Sequence, residues 1–310
     1  MDREAAPKVK SQAKPLPLPK KFMIKYNPKS WAKLIFAFHK SDTFHMLRKE
    51  ILYMGILTLV IAFIVLQLFP DATGLKDLFA VYSLIGFVIS LLLVFRTNTA
   101  YDRWWEGRNK WGSLVNDTRN FAIKLSSLLP QEKDREFFKR MIPNFAIAAK
   151  EHLRKGVQLE QLNLNEAEHE YLSGKEHIPL AISGLLYDQL QFIKQKGQLT
   201  STDVLLMDQN LNQFMECVGA CERIKNTPIP FSYSLFIKKF ILIYVTTLPL
   251  AFVMQFGYFS ALIATFVFYI LVSMEVLAEE IEDPFGADDN DLPTDQLCET
   301  ITKNMEEVLG

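Results

Sequence analysis

The amino-acid sequence predicts an all-α protein with four membrane-crossing helices and a large polar helical region. Two observations lead to this prediction. Four apolar stretches, nearly free of charged residues, occur as two closely spaced pairs, and each is close to the roughly 20 helical residues that a bilayer core requires. Between the pairs, apolar residues recur every three or four positions, which is the spacing of amphipathic helices, and no strand pattern stands out.

The first pair of apolar stretches forms a predicted transmembrane hairpin over residues 51–95. Its spans are residues 51–69 and residues 78–95, and neither contains a charged residue. Pro70 closes the first span, and Arg96 follows the second. Because the connecting loop is short, we expect the two helices to be antiparallel neighbours.

The second pair forms a predicted hairpin over residues 235–278. Its spans are residues 240–256 and residues 258–276, and Gly257 lies between them. Lys238 and Lys239 immediately precede the third span, where long basic side chains can extend toward the lipid headgroups. We therefore expect a tight turn around Gly257, on the side of the membrane opposite the two lysines.

The distribution of Lys and Arg predicts the orientation. Residues 1–50 contain twelve Lys or Arg and four Asp or Glu, whereas the loop after the first span contains one lysine and the turn at Gly257 none. The positive-inside rule then places both termini and the polar helical region, residues 96–234, in the cytosol. The sequence is thus predicted to be a multi-pass protein of the cell (inner) membrane.

The two ends of the chain are predicted to be cytosolic segments of different character. Residues 1–21 are rich in Lys and Pro and predict a flexible basic arm, which either touches anionic lipid or is simply solvated. Residues 22–50 predict an amphipathic helix that lies at the membrane interface or packs on other helices. Residues 279–310 form a C-terminal segment with an acidic cluster.

Several classes of function find no support in the sequence. The net charge of −1 gives no basic excess for nucleic acid. There is no P-loop, GxGxxG, HExxH or GxSxG motif, so we expect no enzyme and no required cofactor. Cys217, Cys221 and Cys298 do not suggest a disulfide framework or a zinc site, and we expect buried thiols.

Three motifs, found in this order, resemble the bestrophin family, specifically its bacterial branch. They are FRTNTAYDRWWEGRNKWGSLVNDTRNFA from Phe95, ERIKNTPIPFSYS at Glu222–Ser234, and IEDPFGADDND at Ile281–Asp291. The resemblance runs from about residue 25 to residue 297. It implies a homopentameric channel, mostly chloride-conducting, that contacts membrane lipid and permeant ions and has one pore on the fivefold axis.

The resemblance also implies which residues line the pore. Phe87, Leu91 and Phe95 lie four residues apart, so they share one face of the second span. They occupy the positions of the hydrophobic neck in the family, where a narrow apolar ring would gate by dewetting. From spacing alone, the alternative is that this stripe packs against neighbouring helices.

The first motif adds a cluster near the predicted inner membrane surface. Arg96 either attracts anions to the pore or forms a salt bridge with Asp or Glu. We expect the aromatic members of the cluster to anchor the helix at the interface and to pack between subunits. The cluster consists of Tyr101, Asp102, Arg103, Trp104 and Trp105.

The third motif contains an acidic cluster at Asp288, Asp289, Asn290 and Asp291. Such oxygens suit Ca²⁺, and in eukaryotic bestrophins this region binds calcium, but here Asn290 and Pro293 interrupt the acidic run. A solvated turn is the alternative. Besides an anion channel, the sequence leaves open a cation-permeable (sodium) channel on the same fold and a membrane scaffold without transport.

Overall fold

The computed structural model describes residues 43–69, 74 and 77–310. This part of the chain is mostly α-helical, includes a short 3₁₀ turn at Leu159–Gln161 and contains no strand, which confirms the all-α prediction. The α-helices are α1 (Thr43–Met46), α2 (Arg48–Leu68), α3 (Leu78–Leu128), α4 (Glu132–His152), α5 (Glu166–Ser173), α6 (Ile178–Gln195), α7 (Ser201–Asn226), α8 (Phe231–Phe256), α9 (Phe259–Glu282) and α10 (Thr294–Leu309). The predicted basic arm, and residues 22–42 of the predicted interfacial helix, lie outside the described residues.

Four helices, α2, α3, α8 and α9, are long and apolar enough to cross a membrane, and they coincide with the four predicted spans. The helices differ from the predicted spans mainly at their polar ends. The helix of the second span does not end near Arg96 but continues to Leu128, because no proline interrupts it before Pro130. At 1.5 Å per residue, residues 96–128 extend this helix by about 50 Å beyond its apolar part.

The described chain divides into two compact units. The membrane unit contains the described residues up to Gly112 together with Gly219–Pro293, and the polar unit contains Ser113–Val218 and Thr294–Gly310. The division falls inside α3 and α7.

The core of the membrane unit draws on all four spans. Met54 of α2, Ile89 of α3, Ile241 of α8 and Phe268 of α9 belong to one buried cluster. At the far end of the hairpin, Gly257 turns the chain between α8 and α9 with a φ of +54°, a conformation that glycine adopts without steric cost. This turn confirms the one predicted at Gly257.

The polar unit has its own core, in which α4 packs against α6 and α10. A buried charge cluster joins α4 to α10: Lys150 Nζ donates to Asp295 Oδ1 over 2.7 Å, and Arg154 Nη2 lies 3.0 Å from Asp295 Oδ2. Burial alone would raise the pKa of Asp295, but hydrogen bonds from Arg154 and Lys150 outweigh it and hold the pKa below its usual value.

All three thiols are buried, as predicted, and none forms a disulfide. Cys298 lies next to the Lys150 cluster, and its thiol donates to the Ala146 carbonyl over 3.4 Å. Burial raises the pKa of Cys298 to about 12, so this thiol stays protonated at neutral pH.

Candidate functional site

The predicted neck residues form an exposed apolar stripe on α3. Within the protomer, the side chains of Phe87, Leu91 and Phe95 are 66%, 45% and 56% exposed, whereas Ile89 and Leu93 on the opposite face are buried. The most apolar stretch of α3 is only 11% buried, against 44% for that of α8. The protomer therefore leaves one face of α3 uncovered, and that face carries the predicted neck.

The same face continues below the apolar stripe with polar residues. Asn98 and Asp102 follow Phe95 at positions i+3 and i+7, and both are exposed. Asp102 lies about 10 Å beyond Phe95 along the helix axis, from the rise of 1.5 Å per residue. The exposed face thus changes from apolar to acidic within two helical turns.

Arg96 is not on this exposed face. Its side chain is 1% exposed and lies between two glutamates of α9: Nη2 donates to Glu282 Oε2 over 2.6 Å, and Nε is 3.6 Å from Glu275 Oε1. Of the two alternatives for Arg96, the structure supports the salt bridge. A guanidinium neutralised in this way does not add a bare positive charge to a pore.

Glu282 also fixes the turn that leads into α8. Its second carboxylate oxygen, Oε1, accepts a hydrogen bond from the backbone N–H of Ile229 over 2.7 Å. Ile229 belongs to the Thr-Pro-Ile-Pro segment of the second motif, and Glu282 belongs to the third. One carboxylate therefore joins α3, the entry to α8 and the end of α9.

Arg103 links α3 to the ends of α7 and α9 through backbone carbonyls. Its Nε donates to the carbonyl of Glu282 over 3.1 Å, Nη1 to that of Thr227 over 2.6 Å, and Nη2 to that of Ile224. These carbonyls lie at the ends of α7 and α9, where unpaired acceptors and the helix dipole favour a cation. Arg103 is thus a structural clamp at the polar end of the apolar part of α3.

The aromatic residues of the first motif have separate roles. Trp104 is half-buried, and its Nε1 donates to the backbone carbonyl of Asn290 over 3.1 Å. Tyr101 and Trp105 are about half exposed, with the ring of Tyr101 stacked 6.1 Å from Trp104 and 6.4 Å from Trp105. Trp105 and Tyr101 are therefore the aromatic members available to lipid or to another copy.

Gly107 allows the third motif to approach α3 closely. A Cβ at this position would lie 3.1 Å from the ring of Phe285 and 3.3 Å from Leu292. Phe285 is buried, and the Leu292 N–H donates to the Pro284 carbonyl over 2.9 Å. The loop after α9 is thus packed against α3 and closed by its own hydrogen bonds.

The predicted calcium ligands lie in this loop, where two of them are engaged by protein groups. The Asp291 carboxylate is buried and accepts the N–H of Asp288 over 2.5 Å, and Asn290 Nδ2 donates to Glu280 Oε2 over 2.7 Å. Ca²⁺ takes 6–8 oxygen ligands, and these contacts hold the side chains of Asn290 and Asp291 in orientations set by the protein. Asp288 is exposed, and Asp289 is partly buried.

Glu275 and Glu282 were not among the residues singled out from the sequence. Glu282 stands inside the third motif, and it is the only glutamate in the string IEDPFGADDND. A buried arginine at the polar end of one span requires a counter-charge, so the need for acidic partners was foreseeable. Which acids provide it depends on the packing of α3 against α9.

The fold and the exposed stripe define an α-helical membrane protein whose second span is incompletely covered by its own protomer. A family model for the Bacterial/Fungal Bestrophin protein matches residues 23–307. A protein of Nostoc sp., named a voltage-dependent anion channel-forming protein, is 38% identical over 229 residues, which cover 71% of this chain and 74% of that protein.

Two further comparisons extend over most of the chain. YneE of Salmonella typhi, also named a voltage-dependent anion channel-forming protein, is 32% identical over 274 residues, covering 87% of this chain and 89% of YneE. A crystal structure of a bacterial bestrophin homologue from Klebsiella pneumoniae matches with a TM-score of 0.76 at 29% identity, over 84% of this chain and 97% of that one. The chain belongs to the bacterial and fungal bestrophin family.

Proposed function

We propose that this chain forms an anion channel in the cell membrane, with the exposed stripe of α3 as its narrow neck. The observation that carries the proposal is the exposure of Phe87, Leu91 and Phe95 on one face of a membrane-crossing helix. The relatives in Nostoc and Salmonella bear the name of anion channel-forming proteins, which supports anions as the permeant ions.

The neck requires several copies of the chain, because one protomer of four spans has no room for a water-filled path. We propose a homopentamer in which α3 of each copy faces a common axis, the assembly implied by the family. A closed ring would cover the exposed face of α3, including Tyr101 and Trp105 near its polar end. Rings of apolar side chains then exclude water and limit conduction.

The orientation follows from the basic residues near the spans. Lys238 and Lys239 mark the inner end of α8, and few basic residues lie near the two outer turns. This distribution favours cytosolic termini and a cytosolic polar unit in the inner membrane. Accessibility of cysteines introduced at Gly257 and in the polar unit, measured in sealed cells with a membrane-impermeant reagent, tests this arrangement.

Reversal potentials of the purified protein in planar bilayers test the ion selectivity. With unequal potassium chloride on the two sides, we expect the current to reverse near the chloride equilibrium potential. Reversal near the potassium equilibrium potential would contradict anion selectivity, but it would still be consistent with a channel. The absence of both current in bilayers and ion flux in liposomes would contradict the proposal that the protein is a channel.

A further inference from the structure

A groove of about 340 Å³ lies between α8 and α9 on the surface of the membrane unit. Its walls are apolar and include Ile241 and Leu242 of α8 and Phe268 and Val272 of α9. The volume is at the lower end of the range of about 300–1,000 Å³ for small-molecule sites. Since both helices cross the membrane, this groove opens toward the lipid or toward a neighbouring subunit.

One end of the groove is charged. Lys238 of α8 and Glu279 of α9 line this end and form an ion pair, with each side chain about half exposed. Both residues stand at the polar boundary of their spans, where a lipid headgroup would lie. Apolar walls below a charged rim match the two parts of a phospholipid.

Glu275 is the buried member of the charged end. It lines the groove, is 2% exposed, and among the described residues its two carboxylate oxygens accept no hydrogen bond. Its nearest cation is Arg96, whose Nε is 3.6 Å away and whose Nη2 binds Glu282 instead. A buried carboxylate normally accepts hydrogen bonds, so Glu275 has unused capacity for a donor.

The balance of charge identifies the kind of headgroup. Arg96 and Lys238 supply two positive charges, whereas Glu275, Glu279 and Glu282 supply three negative charges. The site therefore has an excess of one negative charge, which disfavours an anionic lipid. An ammonium group with three N–H donors would donate hydrogen bonds to the carboxylates. A phosphate would replace Glu279 as the ion-pair partner of Lys238.

We propose that this groove binds one phosphatidylethanolamine molecule per protomer. An acyl chain follows the apolar wall, the phosphate binds Lys238, and the primary ammonium donates hydrogen bonds to Glu279 and Glu275. The inference rests on α8 and α9 crossing the membrane and does not depend on which ions the protein conducts.

Lipid retention by the intact assembly provides the test. The protein is reconstituted into nanodiscs that contain equal parts of phosphatidylethanolamine, phosphatidylcholine and phosphatidylglycerol, then extracted in mild detergent and analysed by native mass spectrometry. Val272→Trp fills the groove, and Leu262→Trp is the matched control because Leu262 is 66% exposed on α9 outside the groove. We expect retained phosphatidylethanolamine in the wild type and in Leu262→Trp, and its loss in Val272→Trp.

Glu279→Gln tests the headgroup without changing the shape of the groove. We expect this variant to lose the preference for phosphatidylethanolamine over phosphatidylcholine by about tenfold, the effect of one charge-assisted hydrogen bond. Equal retention of all three lipids by the wild type would overturn the proposal. An unchanged preference for phosphatidylethanolamine in Glu279→Gln would also overturn it. A wild-type assembly that holds no lipid, and that dissociates when Val272→Trp is introduced, would overturn it as well, because a neighbouring subunit would then fill the groove.

Discussion

Arg96 of α3 and Glu282 of α9 form a buried ion pair in which Nη2 donates to Oε2 over 2.6 Å. The two residues are 186 positions apart in the sequence, and they belong to two different motifs of the family. The pair holds the helix of the proposed neck against the helix that precedes the acidic loop. Arg96 directly follows Phe95, so the pair would help to hold the proposed neck in place.

Removing Glu282 should destabilise the protein strongly. Glu282→Ala leaves the Arg96 guanidinium buried beside Glu275 alone and frees the N–H of Ile229, so we expect a loss of about 3–5 kcal/mol in the free energy of unfolding. The matched control is Glu106→Ala, which removes the exposed pair with Arg223 and should cost about 1 kcal/mol or less. Thermal unfolding in detergent measures both, and equal effects would mean that the buried pair is not structurally important.

Widening the proposed neck should raise conductance. Replacing Phe87, Leu91 and Phe95 together by Ala removes the bulk that excludes water from a narrow apolar ring. We expect larger single-channel currents with unchanged assembly. Leu262→Ala, at an exposed apolar position of α9, is the control and should leave the current unaltered. Currents that do not change in the triple variant would indicate that the stripe faces lipid.

Asp102 should tune the selectivity of the pore. It lies on the same face of α3 as Phe95, so a pentamer would place five carboxylates around the inner mouth, where they repel anions. We expect Asp102→Asn to move the reversal potential closer to the chloride equilibrium potential and Asp102→Glu to leave it near the wild-type value. If the wild type, Asp102→Asn and Asp102→Glu had the same reversal potential, Asp102 would lie away from the ion path.

Acid should weaken the polar unit through Asp295. The pKa of its carboxyl is lowered in the folded state, so the stabilisation is fully present above the unfolded-state pKa of about 4 and is lost as the pH falls through the lower folded value. Unfolding followed between pH 7 and pH 3 should show this loss. The Asp295→Asn variant should unfold more readily at pH 7, because Lys150 is left buried without this partner. The free energy of unfolding of this variant should also depend less on pH. An unchanged pH profile would contradict the assignment.

Calcium should have little effect on the channel. Two of the four residues predicted as ligands already serve the hydrogen bonds that close the acidic loop. We expect the same open probability in chelator and in millimolar Ca²⁺. Activation by Ca²⁺ that is abolished in Asp288→Asn would show instead that the loop rearranges into a metal site.

The spans were predictable because the bilayer imposes length and the absence of charge on them, and both are visible in sequence. The true length of α3 was not foreseen. A fall in hydropathy after Phe95 marks where a helix would leave the apolar core, but only a proline or a suitable cap ends it, and residues 96–128 contain no proline. Hydropathy therefore located the membrane but not the end of the helix.

The candidate site was predicted unevenly for a similar reason. Helical spacing was sufficient to place Phe87, Leu91 and Phe95 on one face, and the structure adds that this face is uncovered. The partners of Arg96 and Arg103 lie far away in the sequence, so only the packed fold specifies them. Local periodicity carries no information about such distant pairs.

The clamp formed by Arg103 has a consequence for tolerated substitutions. Three nitrogens of one planar group each donate to a carbonyl from a different residue. Lysine would preserve the charge, but its single nitrogen on a flexible stem cannot present the same fixed fork. A change that appears conservative by charge would therefore separate the helix ends that arginine holds together.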